Sequence, residues 1–167
     1  MLTSSRSLTT ETQGSQLHRQ DDRWVRGTHT MYFASLAMNW AGSTIPNSLP
    51  GNFTTLTLKA PVGAVGGIIP WNAPLISMWW IMGGVLATGC TGVIKTAEDA
   101  SLTTLRTAEL LVEAGVPPGV INVVTGLGAE AGAALAAHMD VDRVAFTGST
   151  ITGREIIKAS ASNMKRI

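Results

Sequence analysis

The strongest constraint on this chain is a long stretch without charge. From Ala60 to Ile94 there is no Asp, Glu, Lys or Arg. Such a run must be buried, in a bilayer or in a protein core. It is long enough for a transmembrane helix of about 20 residues. Its interior argues against that. Pro70 and Pro74 bracket Trp71-Asn72-Ala73, and each proline removes a backbone donor and turns the preceding residue away from helical geometry. Gly83-Gly84 and Gly89 loosen the remainder, and Asn72 would lie unpaired in hydrocarbon. Several shorter buried elements fit better, because parallel strands covered on both faces read as continuous apolar runs. The run divides into a strand over 62–69, a corner over 70–74, a helix over 75–88 and a second strand over 91–95. The helix is apolar on nearly every side and is expected to be covered all round.

The corner is where chemistry would be expected. In open α/β sheets, ligands bind beyond the carboxyl ends of the strands. Trp71 and Asn72 are presented there, and a structural turn with a core-plugging Trp is the plain alternative.

The rest of the chain extends the alternation. Residues 1–27 are polar and aperiodic, and read as a poorly ordered segment. Phe33, Leu36, Ala37 and Trp40 recur at three and four, predicting a short helix over 28–40. Residues 41–52 carry Gly42, Pro46, Pro50 and Gly51, which is loop chemistry. Residues 53–59 read as an exposed, threonine-rich strand. A helix over 100–114 has Leu102, Leu105, Ala108, Leu111 and Val112 as its inner face, with Arg106, Glu109 and Glu113 outside. A strand over 120–124, a helix over 129–138, a strand over 143–147 and a last helix to 162 follow. Strands alternating with helices indicate right-handed βαβ units and a parallel sheet. Three units result: 1–27, a helix-and-strand segment over 28–60, and the main domain over 61–167.

Composition excludes several classes. The formal net charge is +1, so nothing points to nucleic acid or an anionic membrane. Cys90 is the single cysteine and excludes an internal disulfide, which suits a reducing, cytoplasmic compartment. His18, His29 and His138 are scattered without metal-ligand spacing. The first twenty residues lack the apolar core of a secretory signal.

Two further constellations could carry chemistry. Gly148-Ser149-Thr150-Ile151-Thr152-Gly153 lies between a strand and a helix. A helix start offers unpaired N–H groups and a positive dipole end, which suit a phosphate, and a capped helix without a ligand fits equally well. Lys95 ends the second strand, and Glu98 follows in the connecting loop. A carboxylate there can accept from ribose hydroxyls and repel an added 2′-phosphate. A surface lysine with a helix-capping acid is the plain reading. Cys90 follows a buried helix without a neighbouring His and reads as a buried, inert thiol. His138 reads as a surface histidine at a helix end.

Together these blocks resemble the NAD(P)-dependent aldehyde dehydrogenase family. The resemblance is carried by Pro61-Val62-Gly63-Ala64-Val65-Gly66, Ile69-Pro70-Trp71-Asn72, Ile94-Lys95-Thr96-Ala97-Glu98, the stretch from Gly115 to Val124, and Val144-Ala145-Phe146-Thr147-Gly148-Ser149-Thr150. It runs from about Tyr32 to the last residue. It implies an α/β fold: a Rossmann-like parallel sheet with helices on both faces, an aldehyde dehydrogenase-like cofactor-binding domain that is incomplete. It implies Asn72 as the oxyanion-hole amide, Lys95 and Glu98 at the adenosine ribose, and Gly148 and Ser149 at the pyrophosphate. Ile68, Ile69, Pro70, Trp71, Phe146 and Thr147 would line the cofactor cleft, and Gly128, Ala129, Gly132 and Thr152 would border the adenine end. NAD is favoured over NADP.

There are departures. Thr96 stands where the family usually has proline, and Ala73 and Ala129 replace more usual residues. The first thirty residues do not resemble the family. The family's glutamate base and nucleophilic cysteine would lie past Ile167, and Cys90 is in the wrong element to substitute. The expectation is therefore the cofactor-binding part of an enzyme acting on a small aldehyde, a homo-oligomer in its complete form, inactive as this polypeptide alone. A non-catalytic nucleotide-binding module or remnant is the alternative. A CoA-acylating or acyl-phosphate-reducing relative shares this half of the molecule.

Overall fold

The computed structural model describes residues 16–167, and side chains from residue 27 onward. Helix α1 spans Gln16–Ala37, and strands β1 (Ser43–Ile45) and β2 (Thr55–Thr57) form an antiparallel ribbon. The main domain then runs β3 (Ala64–Ile68), α2 (Pro74–Ala87), β4 (Thr91–Lys95), a short 3₁₀ turn (Glu98–Ala100), α3 (Leu102–Glu113) and β5 (Ile121–Val124). A π turn (Gly128–Gly132), α4 (Ala133–Ala137), β6 (Arg143–Phe146) and α5 (Thr150–Ser160) complete it.

The four main strands are parallel, in the order β5-β4-β3-β6. Alternation along β3 sends successive side chains to opposite faces. Val65 and Ile69 join Met78, Met82, Val85, Ile94 and Ile121 in one core, which Leu111 of α3 flanks. Ile68 joins Ala136, Val141, Val144 and Ile156 in the other, beneath α4 and α5. Helices therefore cover both faces, in the doubly wound arrangement expected. Pro74 occupies the first turn of α2, where its missing N–H leaves no helical bond unmade.

The chain enters β3 through Gly63, whose φ of +113° suits glycine. Any side chain there would also collide with Asp142, whose Oδ2 accepts from the Ala64 amide at 2.8 Å. The other end of the β6 connection is tied by side chains. Asn163 donates to the carbonyls of Met139 (2.7 Å) and Val141 (3.1 Å), and Lys165 to those of Ala136 (2.8 Å) and His138 (2.7 Å).

Several expectations need correction. The first helix starts at Gln16, so residues 16–27 are helical; the reading of residues 1–15 as poorly ordered lies outside the described residues. Within it, His29, Phe33 and Leu36 recur on one half-buried face, and Phe33 seats on Gly83 of α2, where a β-carbon would collide with its ring. Residues 41–52 are not all loop, because Ser43–Ile45 pairs with Thr55–Thr57. Helix α2 is not covered all round: Trp80 is 55% exposed. Helix α3 keeps Leu105, Ala108 and Leu111 of its expected inner face half-buried, but it also buries Thr103 and Thr104 while Leu102 and Val112 are half exposed. Its outer face is as expected, with Arg106 paired to Glu109 and Glu113. The helix expected over 129–138 divides into the π turn and a short α4.

Candidate functional site

Parallel pairing fixes where the strands end. Ile68 of β3 pairs with Lys95 of β4 on one side and Phe146 of β6 on the other, and Lys95 pairs with Val124 of β5. The ladder continues a step beyond the strands: the amide of Ile69 donates to the Lys95 carbonyl at 3.2 Å and that of Thr147 to the Ile68 carbonyl at 3.1 Å. All four carboxyl ends thus stand in a row. The connection after β3 leads to β4, whereas β6 returns on β3's other side, making β3 the switch point of the sheet.

Each loop on this edge displays one group of the expected residues. After β3, Ile68 and Ile69 are buried, Pro70 is half-buried, and Trp71 and Asn72 are exposed. Trp71, at 60% exposure, is no core plug. After β4, Lys95 is buried and its Nζ lies 3.3 Å from Glu98 Oε1, while Glu98 is 43% exposed. The same Oε1 accepts from the Gly128 amide at 2.5 Å, which joins the loop after β5 to the loop after β4. A β-carbon on Gly128 would lie 3.6 Å from Glu98 Oε1, and one on Gly132 would lie 4.0 Å from Lys95 Cδ. Lys95, Glu98, Gly128 and Gly132 therefore make one cluster, with Ala129 exposed on the same turn. The carboxyl pKa of Glu98 is held below the usual glutamate value. A hydrogen bond from its own amide contributes most; the Gly128 amide and Lys95 add to it, and partial burial opposes it.

After β6, Phe146 is half-buried beneath Gly148, where a β-carbon would lie 2.5 Å from its ring. Ser149 caps α5, accepting from the Thr152 amide at 3.1 Å, and its Oγ lies 2.9 Å from Thr152 Oγ1. Thr147, Gly148, Ser149 and Thr152 are exposed. This edge can hold an extended anionic ligand, with a helix mouth for phosphate at one strand end and a cation–carboxylate pair for hydroxyl groups two strands away.

Cys90 lies elsewhere. It precedes β4 at the amino end of the sheet, is buried, and accepts from the Thr88 hydroxyl at 3.2 Å. Burial alone would raise its pKa, but hydrogen bonds from Thr88 and from the backbone of Gly63 and Val62 bring it below the usual thiol value. His138 is exposed at the end of α4 and accepts from the Asp140 amide at Nδ1. Among the described residues, no group of His, Cys, Asp and Glu could hold a metal ion, and no helix is long and apolar enough to cross a membrane.

The Glu98–Gly128 contact was not foreseen, because nothing periodic links residues thirty positions apart. Nor was the burial of Thr96, whose Oγ1 has no partner among the described residues.

The chain matches the aldehyde dehydrogenase family over residues 5–167, so the likeness begins well before Tyr32 and includes most of the first thirty residues. It is 52% identical over 137 residues to human mitochondrial aldehyde dehydrogenase, covering 81% of this chain and 26% of that protein. The NAD+ complex of a Bacillus cereus aldehyde dehydrogenase superposes with a TM-score of 0.83 at 48% identity, over 87% of this chain and 29% of that one. A Staphylococcus aureus betaine aldehyde dehydrogenase solved with NAD+ gives a TM-score of 0.93 at 39% identity, over 98% and 32%. The chain thus spans about a quarter to a third of the length of these relatives.

Proposed function

Because the chain belongs to the aldehyde dehydrogenase family, we propose that it forms the cofactor-binding part of an enzyme that oxidises an aldehyde to a carboxylic acid with NAD. One observation carries the reading: a single sheet edge brings together the Lys95–Glu98–Gly128 cluster and the Ser149-capped helix on either side of β3. Lys95 can donate to, and Glu98 accept from, the hydroxyls of an adenosine ribose. Gly128 and Gly132 leave room beside them for the adenine end, bordered by Ala129 and Thr152. Gly148 and Ser149 present the mouth of α5 to the pyrophosphate. Ile68, Ile69, Pro70, Trp71, Phe146 and Thr147 line the cleft between these ends.

The charge on Glu98 disfavours a 2′-phosphate, so NAD is preferred to NADP. The cofactor, when bound, accepts a hydride. Asn72 follows the strand at the switch point, and its amide is the group that would steady an oxyanion formed on the aldehyde carbon. Losing one such donor typically costs about 100- to 1,000-fold in rate.

The sole cysteine sits at the opposite end of the sheet. This favours a second reading at the level of the isolated polypeptide, as a nucleotide-binding module that does not turn over aldehyde. In the complete protein, Ile45, Phe53, Leu56 and Leu58, all exposed on and beside the β1–β2 ribbon, suit burial against another subunit. A single cysteine supports a reducing, cytoplasmic compartment. The test is a fluorescence titration with NAD and with NADP, alongside an aldehyde turnover assay. Saturable binding with NAD preferred and no turnover is expected. Absence of binding, or steady turnover by the pure chain, overturns the reading.

A further inference from the structure

A different site lies at the amino end of the sheet. A cleft of about 490 Å³ opens there between the start of β3, the end of α2 and the first residue of β6. Three cations line it, Lys59, Arg143 and Arg166, and no acid does. Arg143 and Arg166 are cross-strand partners in a parallel bridge, closed by the Val144 amide donating to the Arg166 carbonyl at 2.8 Å. Like charges placed opposite one another destabilise a pairing unless something neutralises them. Among the described residues, no ion pair engages either guanidinium or Lys59. Lys59 lies 5.0 Å over the ring of Trp40, which holds the ammonium at the cleft wall. The neighbouring acid, Asp142, accepts from the Ala64 amide and acts electrostatically on Cys90 at the edge of the cleft, but it lies outside the cleft lining and pairs with none of the three cations among the described residues.

We propose that this cleft binds a small oxyanion carrying two or more negative charges, a phosphate compound or a polycarboxylate, clamped between Arg143, Arg166 and Lys59. Two guanidiniums, one on β6 and one on the segment bridged to it, present planar forks that match either phosphate or carboxylate oxygens. The site is independent of the carboxyl-end cleft and of the cofactor reading.

Calorimetric titration of the full chain with pyrophosphate and, separately, with citrate at low ionic strength tests it, in the presence of saturating NAD to occupy the other edge. Saturable binding of either is expected, and the arm that binds more tightly identifies the source. Arg143→Gln and Arg166→Gln should each weaken it by about 10-fold or more, the range for a lost charge-assisted hydrogen bond, with NAD affinity unchanged. Lys59→Gln, on the exposed segment before β3, gives the same readout if an arginine variant fails to fold. No saturable binding of either anion, or affinities unchanged in the variants, overturns the proposal.

Discussion

At the scale of single residues, Glu98 joins two loops that the chain order keeps apart. Its lowered pKa sets a sign. A carboxylate whose folded pKa lies below its unfolded value stabilises the fold fully above the unfolded value, and this is lost as pH falls through the folded one. The stability of the wild-type chain should therefore decline on acidification below the ordinary glutamate range more steeply than that of Glu98→Gln. Urea titrations of both proteins at a series of acidic pH values check this; parallel curves would remove Glu98 from the account. Gly148 makes a second case. A methyl there meets the Phe146 ring at 2.5 Å, so Gly148→Ala should destabilise the chain by about 1–3 kcal/mol through overpacking, read by denaturant unfolding.

At the scale of elements, α1 is held by tertiary contact. Its face meets α2 where Gly83 admits Phe33 and where Trp80 Nε1 donates to His29 Nε2 at 2.7 Å. Gly83→Ala should cost about 1–3 kcal/mol, and pairing it with Phe33→Ala should recover part of that; additive losses in the double mutant would show that the two residues do not meet. The clamp on the β6 connection gives another expectation. Lys165→Met leaves two carbonyls without their donor, and a loss of about 1–3 kcal/mol is predicted by thermal or urea unfolding.

These elements also show what was legible in the sequence. Strand β4 was readable over 91–95 because apolar residues between a glycine and a lysine leave no other fit. The Pro70–Pro74 corner was readable because two prolines exclude continuity. The early start of α1 was not, because residues 16–27 carry no apolar stripe and their helicity continues from a segment docked on α2. The inner face of α3 was only partly legible, because the deepest burial there falls on Thr103 and Thr104, which a hydrophobic count passes over. Strand β1 was hidden because three residues bounded by Gly42 and Pro46 declare themselves only through a partner twelve positions on.

At the scale of the whole molecule, the sheet separates two ends with different chemistry. The carboxyl end gathers the groups proposed to hold a dinucleotide. The amino end holds Cys90 and a cleft lined by cations. The candidate residues were legible as motifs, and their meeting around one cleft was legible only through the family resemblance; strand and helix patterning alone could not give it, since it depends on β6 returning beside β3 instead of extending the sheet past β5. That return places Ser149 near the corner that bears Asn72 and leaves the Lys95–Glu98 pair on the strand beyond.

The most direct test of this convergence is amide chemical-shift mapping of the isotope-labelled chain during titration with NAD. The account predicts saturable perturbations confined to residues 68–72, 95–98, 128–132 and 146–152, rising together along one binding curve. Perturbations concentrated at the amino end of the sheet, or rising with different midpoints in the four loops, would contradict it.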